Sequence, residues 1–133
     1  MRKGKIIAVM MLSLFLTPVY SNGQNAKKFF KAGEEFVENN AYSDAIVQFS
    51  KAVDMDPDFT KAYLARANAF ELIGNQTQAA EDYKRAIIFL PKDSEIHYQA
   101  GRMLNQIGQY DEALRILNRA TSLSKKNLLR KFP

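Results

Sequence analysis

The sequence predicts an all-α fold in which six main helices pair into antiparallel hairpins and the hairpins stack as a solenoid. Three observations predict it. The chain repeats itself with a period of 34 residues over 26–59, 60–93 and 94–127, and periods of roughly 20 to 50 residues mark stacked-repeat architectures. Within each repeat, apolar residues recur at intervals of three and four, twice over, as two helices require. Turn-forming residues separate these stretches at fixed places in the repeat.

The first helix is expected over 26–39, where Phe29, Ala32, Gly33 and Phe36 share a face, and the second over 43–55, where Ala45, Ile46, Phe49, Ala52 and Val53 do. The same spacing predicts helices at 60–73, 77–89, 94–107 and 111–124. Small residues hold the eighth position of the repeat (Gly33, Ala67, Gly101), the twentieth (Ala45, Ala79, Ala113) and the twenty-seventh (Ala52, Ala86, Ala120). Larger apolar residues hold the eleventh (Phe36, Phe70, Leu104) and the twenty-fourth (Phe49, Tyr83, Leu117). The eighth and twentieth positions are expected to face each other across the hairpin and bring the helix axes near the lower end of the usual range of about 8–10 Å.

Turns are predicted at Asn39-Asn40, Gly74-Asn75 and Gly108-Gln109, whose residues tolerate positive φ. Ser43, Thr77 and Asp111 follow at the eighteenth position and are expected to cap the second helices, at about 1 kcal/mol each. Asp56-Pro57 and Leu90-Pro91 end those helices, because proline disfavours the helical conformation in the residue before it. No segment reads as strand. Residues 22–25 are expected as a flexible lead-in, and 128–133, LLRKFP, as a tail or the start of a further, incomplete helix.

These matched small and large positions resemble the tetratricopeptide repeat family, over 102 of the 112 residues from Asn22 onward. The chain departs from the family pattern at the fourth position, often tryptophan, which holds Phe29, Tyr63 and His97, and at Lys125, where proline is expected. The resemblance implies a right-handed superhelix of helical hairpins and a protein that binds other proteins rather than an enzyme.

Residues 1–21 read as a secretory signal: Arg2, Lys3 and Lys5, an uncharged stretch from Ile6 to Leu16, then the polar, helix-breaking TPVYSNGQ. Cleavage is expected after Ser21, with Gly23 as the alternative. These eleven uncharged residues span about 16 Å as a helix, roughly half a hydrocarbon core, so no stable membrane insertion is expected after cleavage. The destination is periplasm, cell envelope or exterior. The formal charge of +5 falls to +2 without residues 1–21, which argues against nucleic acid as a partner. The absence of cysteine excludes disulfides, thiolate metal sites and a cysteine nucleophile.

No cofactor or metal is expected. His97 occupies a packing position with no motif partner. Asp54, Asp56 and Asp58 imitate the start of a calcium loop, but Phe59 and Ala65 stand where that loop needs glycine and a carboxylate. Asn75-Gln76-Thr77 matches the glycosylation pattern by coincidence. Lys125, Lys126, Arg130 and Lys131 suit a helix C-terminus.

The family resemblance implies a concave groove lined by the first helices. Its positions are Lys27, Phe30, Glu34, Val37 and Glu38 in the first repeat, and Lys61, Leu64, Asn68, Glu71 and Leu72 in the second. In the third they are Glu95, Tyr98, Arg102, Asn105 and Gln106. Phe30, Leu64 and Tyr98 form an apolar stripe flanked by both charge signs, which suits a protein or peptide segment. The clamp that grips a peptide's terminal carboxylate in some family members is absent, its positions holding Phe30, Glu34, Ala65, Glu95 and Gln99. The resulting expectation is an exported scaffold that binds a protein segment. The alternative is a self-associating subunit, a homo-oligomer built through the C-terminal face, where Ile107, Leu114, Leu117 and Leu123 have only LLRKFP to cover them.

Overall fold

The computed structural model describes residues 19–131. Six helices follow one another: α1 (Val19–Glu38), α2 (Tyr42–Met55), α3 (Thr60–Leu72), α4 (Gln76–Phe89), α5 (Ser94–Gln106) and α6 (Tyr110–Lys131). Each packs against its neighbours in the chain, and α1 also touches α3, so the hairpins α1–α2, α3–α4 and α5–α6 form a stack. No helix of the described residues is long and apolar enough to cross a membrane. The predicted export segment lies outside the described residues as far as residue 18, as do residues 132–133.

Two segments differ from the expectation. Residues 22–25 belong to α1, which spans Val19–Glu38. The one glycine inside this stretch, Gly23, costs only about 1 kcal/mol and does not interrupt the helix. Residues 128–131 continue α6 rather than opening a new helix. The earlier second helices stop before Pro57 and Pro91, whereas Lys125 permits α6 to run on.

The hairpin turns explain why the predicted caps are misplaced. Asn40, Gly74 and Gly108, all at the fifteenth position, adopt φ of 58°, 78° and 81°. The next residue's N–H reaches back to the carbonyl of the eleventh position: Ala41 to Phe36 at 2.9 Å, Asn75 to Phe70 at 2.8 Å and Gln109 to Leu104 at 2.9 Å. This left-handed closure ends one helix, and the same residue starts the next, because its carbonyl accepts from the twentieth position. The second helices therefore begin at Tyr42, Gln76 and Tyr110, one residue before the predicted caps. Ser43, Thr77 and Asp111 lie inside the first turn, and Asn75 caps α4 by accepting from Gln78 N–H at 3.2 Å.

Asp93 makes the fullest cap, accepting from the backbone N–H groups of Glu95 at 2.9 Å and Ile96 at 3.1 Å. Asp93→Ala should therefore cost about 1 kcal/mol, while Ser43→Ala and Thr77→Ala should be close to neutral, as thermal melts would show. A Ser43→Ala loss equal to that of Asp93→Ala would restore the original cap assignment.

The core runs along the stack as three clusters. Ala45, Phe49 and Ala69 join α1–α2 to α3; Ala52, Val53, Ala62 and Tyr63 seal the first two hairpins; and Tyr83, Ile96, Met103 and Leu104 bind the second to the third. A methyl group added at Gly33 would run into the Phe49 ring, and one at Gly101 would lie 2.6 Å from Leu117 Cγ. The eighth position thus meets first the twenty-fourth position of its own hairpin, not the twentieth. In the third hairpin the Ala113 carbonyl, at the twentieth, comes next at 3.4 Å. The glycines give room for large side chains rather than for helix backbones alone.

Candidate functional site

The first helices stand side by side, and α1 and α3 enclose a cleft of about 310 Å³. Its floor is Phe49, Ala65 and Ala69, with Val37 and Leu72 on the walls and Glu34, Glu38 and Asn68 at the rim. Phe49 is buried and Leu72 is 58% exposed, so the cleft has an apolar base and an accessible apolar edge. Five of the predicted groove residues meet here: Glu34, Val37, Glu38, Asn68 and Leu72. Lys27 and Lys61 are exposed on α1 and α3, and Asn105 and Gln106 on α5.

The predicted apolar stripe is not a continuous surface. Phe30 lies between Phe49 and Phe59, with ring centroids 5.6 and 5.0 Å away, and Leu64 is half-buried against the core. In the first two hairpins the following hairpin packs over this fifth position. Among the described residues no further hairpin follows α6, and Tyr98 is 49% exposed. It lines a separate cleft of about 600 Å³ with Glu95, Leu117, Ala120, Thr121 and Leu128.

Several predicted groove residues are already engaged with one another. The Tyr83 hydroxyl lies 2.7 Å from Glu71 Oε1 and also contacts Asn68 Oδ1. A phenol has one proton, and the carboxylate is the stronger acceptor, so the Asn68 amide is best turned to donate to the phenolic oxygen. Burial, reinforced by Glu71, holds the Tyr83 phenol above its ordinary range and keeps it protonated. Glu71 Oε2 accepts from Arg102, whose guanidinium also donates to Gln99 Oε1 at 2.7 and 3.0 Å. Gln99 in turn donates to Glu95 Oε1 at 2.6 Å. This chain ties α3, α4 and α5 together and commits Glu71 and Arg102 to holding the wall.

A second polar cluster escaped the sequence reading. Arg66 donates twice to Asp82, from Nε to Oδ2 and from Nη2 to Oδ1, both at 2.7 Å, and once to Ser50 at 3.0 Å. It also lies over the rings of Tyr63 and Phe70. The available signal was Asp82 itself, an acid on the face of α4 that carries Ala79, Tyr83 and Ala86. The signal for the other network was a tyrosine at a position that is Phe49 and Leu117 in the sister repeats.

The remaining candidates have structural places. His97 is buried, and its Nδ1 donates to the Asp93 carbonyl at 2.6 Å. Asp56 accepts from Asp58 N–H at 3.1 Å, shaping the α2–α3 turn. At the C-terminal face, Leu123 is buried, Ile107 packs on the core and Leu117 fills the space over Gly101, leaving Leu114 as the exposed member of the predicted four.

Two models described as tetratricopeptide repeat match the chain, over residues 30–94 and 82–115. Among curated proteins, DnaJ homolog subfamily C member 3 of Mus musculus is 33% identical over 93 residues, covering 68% of this chain and 18% of that protein. Small glutamine-rich tetratricopeptide repeat-containing protein 2 of Mycosarcoma maydis is 26% identical, covering 77% of this chain and 29% of that protein. The chain thus spans less than a third of the length of these relatives. Among solved structures, MamA superimposes with a TM-score of 0.71 at 19% identity, over 78% of this chain and 61% of that one. The second such domain of Spaghetti (RPAP3), bound to the HSP90 peptide SRMEEVD, gives 0.68 at 22% identity, over 77% and 95%. At these identities the structural likeness concerns the fold.

Proposed function

The chain belongs to the tetratricopeptide repeat family, and from that premise we propose that it is an exported scaffold whose α1–α3 groove holds a segment of another protein. The observation that carries this reading is the cleft with an apolar floor of Phe49, Ala65 and Ala69 beneath two carboxylates, Glu34 and Glu38. The RPAP3 domain holds a peptide, SRMEEVD, rich in acids. Here a terminal carboxylate would meet Phe30, Glu34, Ala65, Glu95 and Gln99, two of them acids. The groove therefore suits a segment with an aliphatic side chain for the floor and a basic residue for the rim. Export rests on the pattern of residues 1–21, and sequencing the N-terminus of the protein recovered from the envelope or medium tests it.

Phe30 is unsuitable for testing the groove, since its removal would open the core between Phe49 and Phe59. Glu34→Lys with Glu38→Lys is the better change, both residues being exposed. Affinity for the protein retained from the native envelope fraction should fall at least about tenfold, equivalent to about 1.4 kcal/mol, with the thermal midpoint little changed. Unchanged affinity in the folded variant would remove the groove from the function.

A further inference from the structure

On the side of the second helices, away from the groove, α4 and α6 enclose a cleft of about 500 Å³ with the start of α5 beneath it. Ile87, Ile88, Ile116 and the buried ring of His97 line its interior, and Ile88 is 63% exposed. Arg85, Arg115 and Arg119 stand around it, with Glu81 as the one acid of the lining. Lys84 is also present but is shared between Glu81 at 3.2 Å and Glu112 at 3.3 Å. The three arginines make no ion pair among the described residues.

This cleft is not a generic product of the repeat. Between α2 and α4, the equivalent register positions are Asp54, where the later cleft has Ile88, and Asp82, where it has Ile116. Asp82 is consumed by Arg66. An apolar floor surrounded by cations is thus specific to the α4–α6 junction.

The complementary piece is on the same chain. The end of α2 and the turn after it carry Asp54, Asp56 and Asp58, which likewise make no ion pair among the described residues, around Met55, the last residue of α2, which is 40% exposed. This segment has an apolar centre and three negative charges, against a cleft with an apolar centre and three positive ones. We propose that the α4–α6 cleft receives the end of α2 and the α2–α3 turn of a second copy of this chain, with Met55 against Ile88 and Ile116 and the aspartates facing Arg85, Arg115 and Arg119. A turn in a cleft is a small, weak contact, and a two-fold arrangement would make it twice. Exposed ion pairs are screened by salt, so the assembly is salt-sensitive.

Sedimentation of the protein recovered from cells producing the full chain tests this. At low salt the native protein should associate as concentration rises, and high salt should weaken association at least about tenfold. Arg85→Glu with Arg119→Glu, and separately Asp54→Lys with Asp58→Lys, should each be monomeric with native helicity and melting. Asp56 is left intact because it shapes the turn. Mixing the two variants should restore association, since the reversed cleft of one meets the reversed turn of the other while the native pair also forms. Three results would overturn the proposal: a monomer at every concentration, association that survives both reversals, or a mixture that stays monomeric. The groove variant Glu34→Lys/Glu38→Lys should associate like the native chain, which keeps this proposal separate from the groove reading.

Discussion

Asp82→Ala is expected to cost about 3 kcal/mol of folding stability and to lower Tm by on the order of 15 °C. The change leaves the Arg66 guanidinium, with a side chain 18% exposed, facing the vacated site between α3 and α4. That residual exposure puts the expected loss at the low end of the usual range for breaking a buried pair, because Arg66 can partly reach water. Replacing both partners should behave differently. Arg66 is held above its ordinary pKa first by its hydrogen bond to Asp82, but the Asp82 carboxyl is also held above the usual carboxylate range, because burial outweighs the pull of Arg66. The two directions weigh the pair oppositely; the Asp82 direction is the better guide to cost, since its side chain is only 7% exposed.

Arg66→Met with Asp82→Leu should therefore recover most of the stability lost by Asp82→Ala. The pH dependence carries the same sign. A carboxyl whose folded pKa is raised contributes fully below its unfolded pKa and loses that contribution as pH rises through the folded value. The native protein should accordingly lose stability relative to Asp82→Asn as pH rises through the acid range. A double variant as unstable as Asp82→Ala would show that the pair, rather than the removal of an orphaned charge, matters.

Gly33→Ala is expected to cost about 2 kcal/mol net, although alanine is the better helix former by about 1 kcal/mol. The new methyl would meet the Phe49 ring, 1% exposed and packed against Phe30, which leaves it no room to swing. The second hairpin already has alanine at this position, Ala67, opposite Tyr83, so the architecture accepts a methyl where the partner ring is anchored elsewhere. Gly101→Ala should cost less, because Leu117 is only half-buried. Thermal melts of the two variants decide it. An unchanged or higher Tm for Gly33→Ala would mean that Phe49 moves aside.

The groove was only partly legible in the sequence. Glu34, Val37, Glu38, Asn68 and Leu72 share one cleft, because residues at fixed places on neighbouring parallel helices line one side. Repeat position does not tell which side chains remain available. Phe30 and Leu64 are taken by the packing of the next hairpin, and Glu71 and Arg102 by hydrogen bonds across helices. A repeat alignment treats Tyr98 as equivalent to Phe30, yet one is exposed and the other enclosed by rings.

By itself the sequence determined the helices, their pairing and the left-handed turns at Asn40, Gly74 and Gly108, because each follows from local periodicity and backbone sterics that recur every 34 residues. Only the tertiary structure decided what meets Gly33, how Arg66 finds Asp82 and which groove positions stay open. Those outcomes depend on side chains far apart in sequence competing for the same volume and the same hydrogen-bond partners, a competition that no single repeat contains.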